Sequence, residues 1–344
     1  MYKASNLCSG LSTWLQDFFD SLKAPQKESV LNSKVVEHWE KFNDKPDVSK
    51  KLYYNSFDIY VLSFGAQFLK ESLSNPNVKI DKELRSRLEK VQVSLSRHRD
   101  SLLEQPSFNT FLGRNPTGDS RLQTYAFSLG LNSLSLSEIQ NPSEKQKNAF
   151  KLAQKIVDNL TNKLAVPYNP SLSEGELTSR ASSARNVPFY LALLRSDPEN
   201  KNIQNLLFDS LKNYREFLPD LIANFMRDGA HVGSDYLGAH YYYPTFPYVG
   251  SAISILEKSK NFPDEQKKEL SLLKKTFLDT HKSLINKDGF FTPIGMSPKD
   301  TVIWKNSDSF SQSLGALGLM SFIDSCEGDE KKDNSQKNHS ILPH

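Results

Sequence analysis

Cysteine is nearly absent from this chain of 344 residues, which holds only Cys8 and Cys326. Two thiols exclude a disulfide framework and a thiolate metal site. No apolar run approaches the roughly 20 residues that a membrane span needs. Met1-Tyr2-Lys3 is not followed by the apolar core of a signal peptide. The cytoplasm is therefore the expectation if Met1 is the native start, and the periplasm or the exterior if the chain is a processed form. Charge of one sign is missing too. The net charge of +3 arises from interleaved acids and bases, so no electrostatic footprint for nucleic acid is present. Alternating Val/Ile/Thr runs between turn residues, the mark of strands, are scarce. There is no His-x-x-x-His, Glu-x-x-His, Gly-x-x-x-x-Gly-Lys or Gly-x-Ser-x-Gly, so no metal and no cofactor is expected.

What the chain does have is a repeat. A polar loop running into an apolar helix recurs at 53–69, 118–134, 178–194, 228–256 and 288–322. The apolar centres lie roughly every 60–65 residues, a period that signals stacked supersecondary units. Two copies open with Asp-Gly (Asp228-Gly229 and Asp288-Gly289) and end in small-residue helices, Val249-Gly250-Ser251-Ala252 and Leu314-Gly315-Ala316-Leu317.

Between these copies lie amphipathic helices. Leu84, Leu88, Val91, Leu95 and Leu102 mark one over 82–103, and Phe150, Ala153, Val157 and Leu160 mark one over 144–164. Leu270, Leu273, Phe277 and Leu284 mark another over 264–285, while 200–225 is interrupted at Pro219 and reads as two helices or one with a kink. His98 and His281 fall on the apolar stripes of such helices and read as packed core histidines. The repeated segments are apolar around most of their circumference and rich in Gly, Ala and Ser, as in a helix buried on all sides. Pro188, Pro244 and Pro247 suit first-turn positions.

Charged helices alternating with apolar ones imply two concentric layers. With 12–42 as the first outer contribution, the expectation is an all-α fold, an (α/α) toroid of about five hairpins spanning 1–326. The polar tail 327–344 reads as disordered. In such a body the long loops entering the inner helices gather on one rim, around a central cavity, and a ligand site belongs there.

The loop 228–247 is the richest of these, with His231, Asp235, Tyr236, His240, Tyr241, Tyr242 and Tyr243. Histidine and tyrosine titrate on either side of neutrality and can divide base and acid work. A second loop places Arg180, Ser183, Arg185 and Asn186 before Pro188, a fork and an amide suited to a carboxylate. Arg114, Asp119, Arg121 and Tyr125 hold the equivalent place one repeat earlier, and Trp304, Lys305, Asn306 and Asp308 a later one. Aromatic faces with Arg, Asn and Asp edges suit sugars.

The alternating layers with Asp-Gly loops resemble the (α/α) toroids of polysaccharide lyases, glycoside hydrolases and terpenoid cyclases. The Asp-rich motifs of terpenoid chemistry are missing. The local likeness is to alginate-lyase-like domains, on Gly238-Ala239-His240-Tyr241-Tyr242-Tyr243-Pro244 and the apolar stretch after it. Ala239 stands where that family has a tyrosine, and Arg185-Asn186 lacks the family's histidine. The resemblance implies His240 or Tyr242 as base or acid, with Arg185 and Asn186 holding a uronate carboxylate.

The functional expectation is a glycan-active enzyme that cleaves a polysaccharide, uronate polymers included, by β-elimination or hydrolysis. Its catalytic candidates are His240, Tyr242 and Asp235. Arg185, Asn186, Arg121, Tyr125, His231, Tyr241, Tyr243 and Lys305 would bind substrate. Hydrolysis would require two facing carboxylates, drawn from Asp119, Asp228, Asp235, Asp288 and Asp308. The alternative is a non-catalytic toroid binding a glycan, peptide or protein partner through the same rim.

Overall fold

A computed structural model describes residues 56–74, 80–104, 124–135, 144–167, 179–223, 242–287, 289, 291 and 307–322. Among the described residues the secondary structure is helical, with one isolated β-bridge between Ile285 and Phe291. The helices are α1 (Ser56–Ser74), α2 (Lys82–Glu104), α3 (Thr124–Ser135), α4 (Glu144–Asn159), α5 (Ser179–Ser196), α6 (Lys201–Ala223), α7 (Tyr242–Lys258), α8 (Asp264–Ser283) and α9 (Ser307–Ser321).

Local chemistry explains several of the ends. Asp81 accepts from Leu84 N–H at 2.8 Å and Asn200 accepts from Ile203 N–H at 3.2 Å, which caps α2 and α6. Pro263 leads into α8, whose first turn carries Asp264 and Glu265 and whose last turn carries Lys282, each sign favourable to the helix dipole. Lys163 Nζ donates to the carbonyls of Val157 and Asp158 at the end of α4.

Two sequence expectations are corrected here. Pro188 is not in a first turn: α5 begins at Ser179 and runs through it. The loop expected around Arg180, Ser183, Arg185 and Asn186 is therefore helix. Of the two readings left open at Pro219, the single element is found: α6 continues through that proline. Proline removes one ladder bond and strains the preceding turn. Packing offsets that cost: Val187, Phe189, Tyr190, Leu191 and Leu211 are wholly buried, as is Leu221 just past Pro219.

Where their side chains are described, α3, α5, α7 and α9 are mostly buried and α1 mixes buried with half-buried positions, whereas the even-numbered helices expose a charged face. Packing follows that alternation. Among the odd set, α1 packs on α3, α3 on α5, α5 on α7, α7 on α9, and α9 also touches α1. Of the even set, α2 packs on α1, α4 lies against α3 and α5, α6 against α5 and α7, and α8 against α7 and α9.

Glycine makes the closest of these approaches possible. A Cβ on Gly250 of α7 would lie 2.6 Å from the Ser321 carbonyl carbon on α9, and one on Gly315 would lie 2.5 Å from the Phe291 ring. The apolar core runs continuously through the described helices. A fully buried Leu or Phe stabilises by about 1.5–3 kcal/mol, so this interlayer contact is the main source of order.

Candidate functional site

The odd-numbered helices point the same way. In the first turn of α3, the Tyr125 hydroxyl lies 3.3 Å from Thr245 Oγ1 in the first turn of α7, and Thr245 Oγ1 donates to Ala184 O in the second turn of α5 at 3.0 Å. At the opposite end, Arg195 in the last turn of α5 donates to Asn132 Oδ1 in the last turn of α3 at 2.8 Å. Ser63 and Gln67 of α1 meet Tyr248 and Ser251 of α7 in the same order. Gly250 against Ser321 and Gly318 against Phe246 fix α9 in that direction as well. The starts of these helices therefore share one end, and the segments 105–123, 168–178, 224–241 and 292–306 lead into that end.

Below it, polar side chains of the buried helices bond to one another across the space between them. Gln67 Nε2 donates to Glu71 Oε1 at 2.6 Å and to Ser251 Oγ at 2.8 Å. Arg195 Nη2 donates to Gln67 Oε1 at 3.2 Å. Asn132 Nδ2 donates to Pro188 O at 2.7 Å, and the hydroxyls of Ser63 and Tyr248 bond to each other. Burial lowers the Arg195 guanidinium to about 10, with Tyr248 and Glu71 opposing the shift, so it stays cationic near neutrality. A cation in the last turn of α5 also meets the negative end of its dipole.

All five sequence candidates that fall on described residues, Tyr125, Arg185, Asn186, Tyr242 and Tyr243, are buried. Tyr242 is fully buried. Its hydroxyl lies 3.0 Å from His281 Nδ1, while His281 Nε2 lies 2.9 Å from Gly315 O. A carbonyl only accepts, so Nε2 carries the proton, Nδ1 accepts, and Tyr242 donates.

Burial, with Tyr214 and Tyr243 nearby, holds the Tyr242 hydroxyl well above its ordinary range. The same burial lowers His281 to about 3 despite the Gly315 bond. His281 stacks on Phe246 at 3.8 Å between ring centres. This is a core histidine, as its place on the apolar stripe of α8 suggests. Tyr243 is buried against Phe291 and His281, and desolvation raises its hydroxyl as well.

Arg185 and Asn186 face the 160–167 connection. Arg185 Nε donates to Val166 O at 3.3 Å, and its Nη2 to Ser182 Oγ at 3.1 Å. Asn186 accepts from Val166 N–H at 3.2 Å and donates to Leu164 O at 2.6 Å. Tyr190 adds a bond to Lys163 O. Each of these side chains is buried, and together they clasp the chain between α4 and α5.

Tyr125 and Tyr242–Thr245 do share one end with Ala184–Asn186, as the repeat required, but as its framework. Arg121, His231, Asp235, His240, Tyr241 and Lys305 lie outside the described residues, as do Asp119, Asp228 and Asp288.

The chain matches no family model, no curated protein and no solved structure.

Among the described residues no group of three His, Cys, Asp or Glu side chains is placed to hold a metal, and no helix is long and apolar enough to cross a membrane. The network of Gln67, Glu71, Asn132, Arg195 and Ser251 was missed in the sequence. Its signal was there, since each apolar helix carries polar residues in its second half. Nothing in spacing alone says that they meet across the space between helices.

Proposed function

We propose that the chain is an (α/α) toroid of about five helical hairpins, and that it binds a carbohydrate polymer or oligosaccharide at the end where the inner helices begin. One observation carries the reading: the buried helices run parallel, so their starts, each preceded in the chain by a polar, aromatic stretch, lie at one end. Those segments hold Arg114, Arg121, His231, Asp235, His240, Tyr241, Trp304 and Lys305. Aromatic rings offer faces to the C–H surface of a sugar, while Arg, His and Asp edges pair with its hydroxyls. The alternation of buried and half-exposed helices, and the contact of α9 with α1, support the closed arrangement.

Binding is favoured over cleavage by the fate of the described candidates. A general acid must reach the reacting oxygen, and Tyr242 is buried in the core with its hydroxyl hydrogen-bonded to His281. Arg185 and Asn186, needed to hold a carboxylate, clasp backbone instead. Cleavage by β-elimination or hydrolysis is the second reading, kept by the concentration of His231, Asp235 and His240 on one segment.

Calorimetric titration against a panel of neutral and uronate polysaccharides tests both readings. Absorbance of unsaturated products and assay for new reducing ends are followed in parallel. Binding without product, weakened by Tyr241→Ala or Trp304→Ala but not by Tyr242→Phe, is the expected result. Product formation lost in His240→Ala would replace binding with the enzyme reading. No heat from any glycan sinks both.

A further inference from the structure

We propose that the Tyr214 hydroxyl of α6 holds a buried water molecule, which bridges it to the Tyr242–His281 pair. Tyr214 is wholly buried, and among the described residues its hydroxyl has no hydrogen-bond partner. A buried phenol normally finds one. Ser72 and Ser183 also carry buried hydroxyls without a partner, but a serine in a helix can turn onto the carbonyl one turn back. The phenol oxygen stands at the far side of a rigid ring and cannot reach its own backbone. Whatever satisfies Tyr214 comes from outside α6.

Ring contacts place Tyr214 beside the pair. Its ring stacks on Phe277 of α8 at 5.8 Å between centres, and Phe277 packs edge-on against Phe246 of α7 at 6.4 Å. Phe246 stacks on His281 at 3.8 Å, and the Tyr242 ring lies 5.4 Å from Phe246. Tyr214 is near enough to Tyr242 to help raise its hydroxyl, after desolvation.

Hydrogen-bond direction then selects the ligand. The Gly315 carbonyl only accepts, which makes Nε2 of His281 a donor, Nδ1 an acceptor and Tyr242 a donor. The Tyr242 oxygen can still accept, and the Tyr214 proton needs an acceptor. A small neutral molecule that accepts from Tyr214 and donates to Tyr242 meets both demands, and water is that molecule. An ion would place a charge among these neutral rings, at a high desolvation cost. The hydrogen-bonded file then runs from Tyr214 through water, Tyr242 and His281 to Gly315 O, joining α6, α7, α8 and α9. This site needs no glycan, so the glycan titration can fail while it stands.

Oxygen-17 magnetic relaxation dispersion on the full chain tests it, because the method counts internal waters that stay longer than the protein takes to tumble. Tyr214→Phe and Tyr242→Phe should each lose one such water, and the double variant one rather than two. Both changes keep the ring, and far-UV circular dichroism checks the fold of each variant. A high-resolution crystal structure of the unaltered chain should place the water within hydrogen-bond distance of both phenol oxygens. An unchanged count in Tyr214→Phe would overturn the proposal. So would a water lost in Tyr214→Phe but kept in Tyr242→Phe, or a direct bond between the two phenols.

Discussion

Arg195→Met offers the sharpest test of how the buried helices are held. The guanidinium bridges Asn132 Oδ1 at 2.8 Å and Gln67 Oε1 at 3.2 Å, and Gln67 in turn donates to Glu71 at 2.6 Å. Three helices, α1, α3 and α5, thus meet on one cation. Methionine preserves much of the stem but leaves two buried amide oxygens short of a donor and removes one of the cations near the Glu71 carboxylate, which is 1 % exposed and keeps Lys70 at 3.9 Å. Breaking a buried charge network from one side costs about 3–5 kcal/mol. With an unfolding entropy near 2.1 cal/mol/K per residue, a chain of this size loses roughly 4–7 °C in Tm for that amount.

Differential scanning calorimetry reads the shift directly. Asn132→Leu alone should also destabilise, and the double variant should lose less than the sum, with a coupling of about 1–2 kcal/mol. The coupling should persist at high salt, because buried pairs are weakly screened. A Tm unchanged within a degree, or strictly additive effects, would refute the idea that this cation ties the helices together.

Acid should unfold the protein partly through His281. Its folded value is lowered to about 3 while the unfolded chain titrates near 6.5, so between these values the unfolded state binds the extra proton. The stability is full above about pH 6.5 and falls as pH drops toward 3, by at most about 1.4 kcal/mol per pH unit; His281→Phe should flatten that part of a urea-denaturation pH series, and an unchanged slope would contradict it. Gly250→Ala places a methyl group 2.6 Å from the Ser321 backbone, and overpacking of this kind costs about 1–3 kcal/mol or more; equal thermal stability would show that α7 and α9 are not in such close contact. Asn186→Leu removes both bonds to the 164–166 backbone, and amide exchange at Val166 should rise at least tenfold while the core of α6 stays protected.

Periodicity alone carried much of the fold. Helix positions over 82–104, 144–159 and 264–283 follow from apolar spacing, because an amphipathic helix announces its own buried face. The buried set was also legible from small and apolar residues around the whole circumference. Arg185 and Asn186 were misread as loop because polarity next to Pro188 is ambiguous: a polar side chain looks the same in sequence whether it meets water or a neighbouring backbone. Tyr242 illustrates the same limit. Its richness in chemistry is a property of the residue, but its role was set by His281, a partner 39 positions away.

Which residues turn inward, then, was written in one dimension, since hydrophobic spacing acts within a few turns of a single helix. Which polar groups face each other was decided only by the packing of helices distant in sequence. Hydrogen bonds depend on contact within a few ångströms, and no local rule encodes the distance between Gln67 and Arg195.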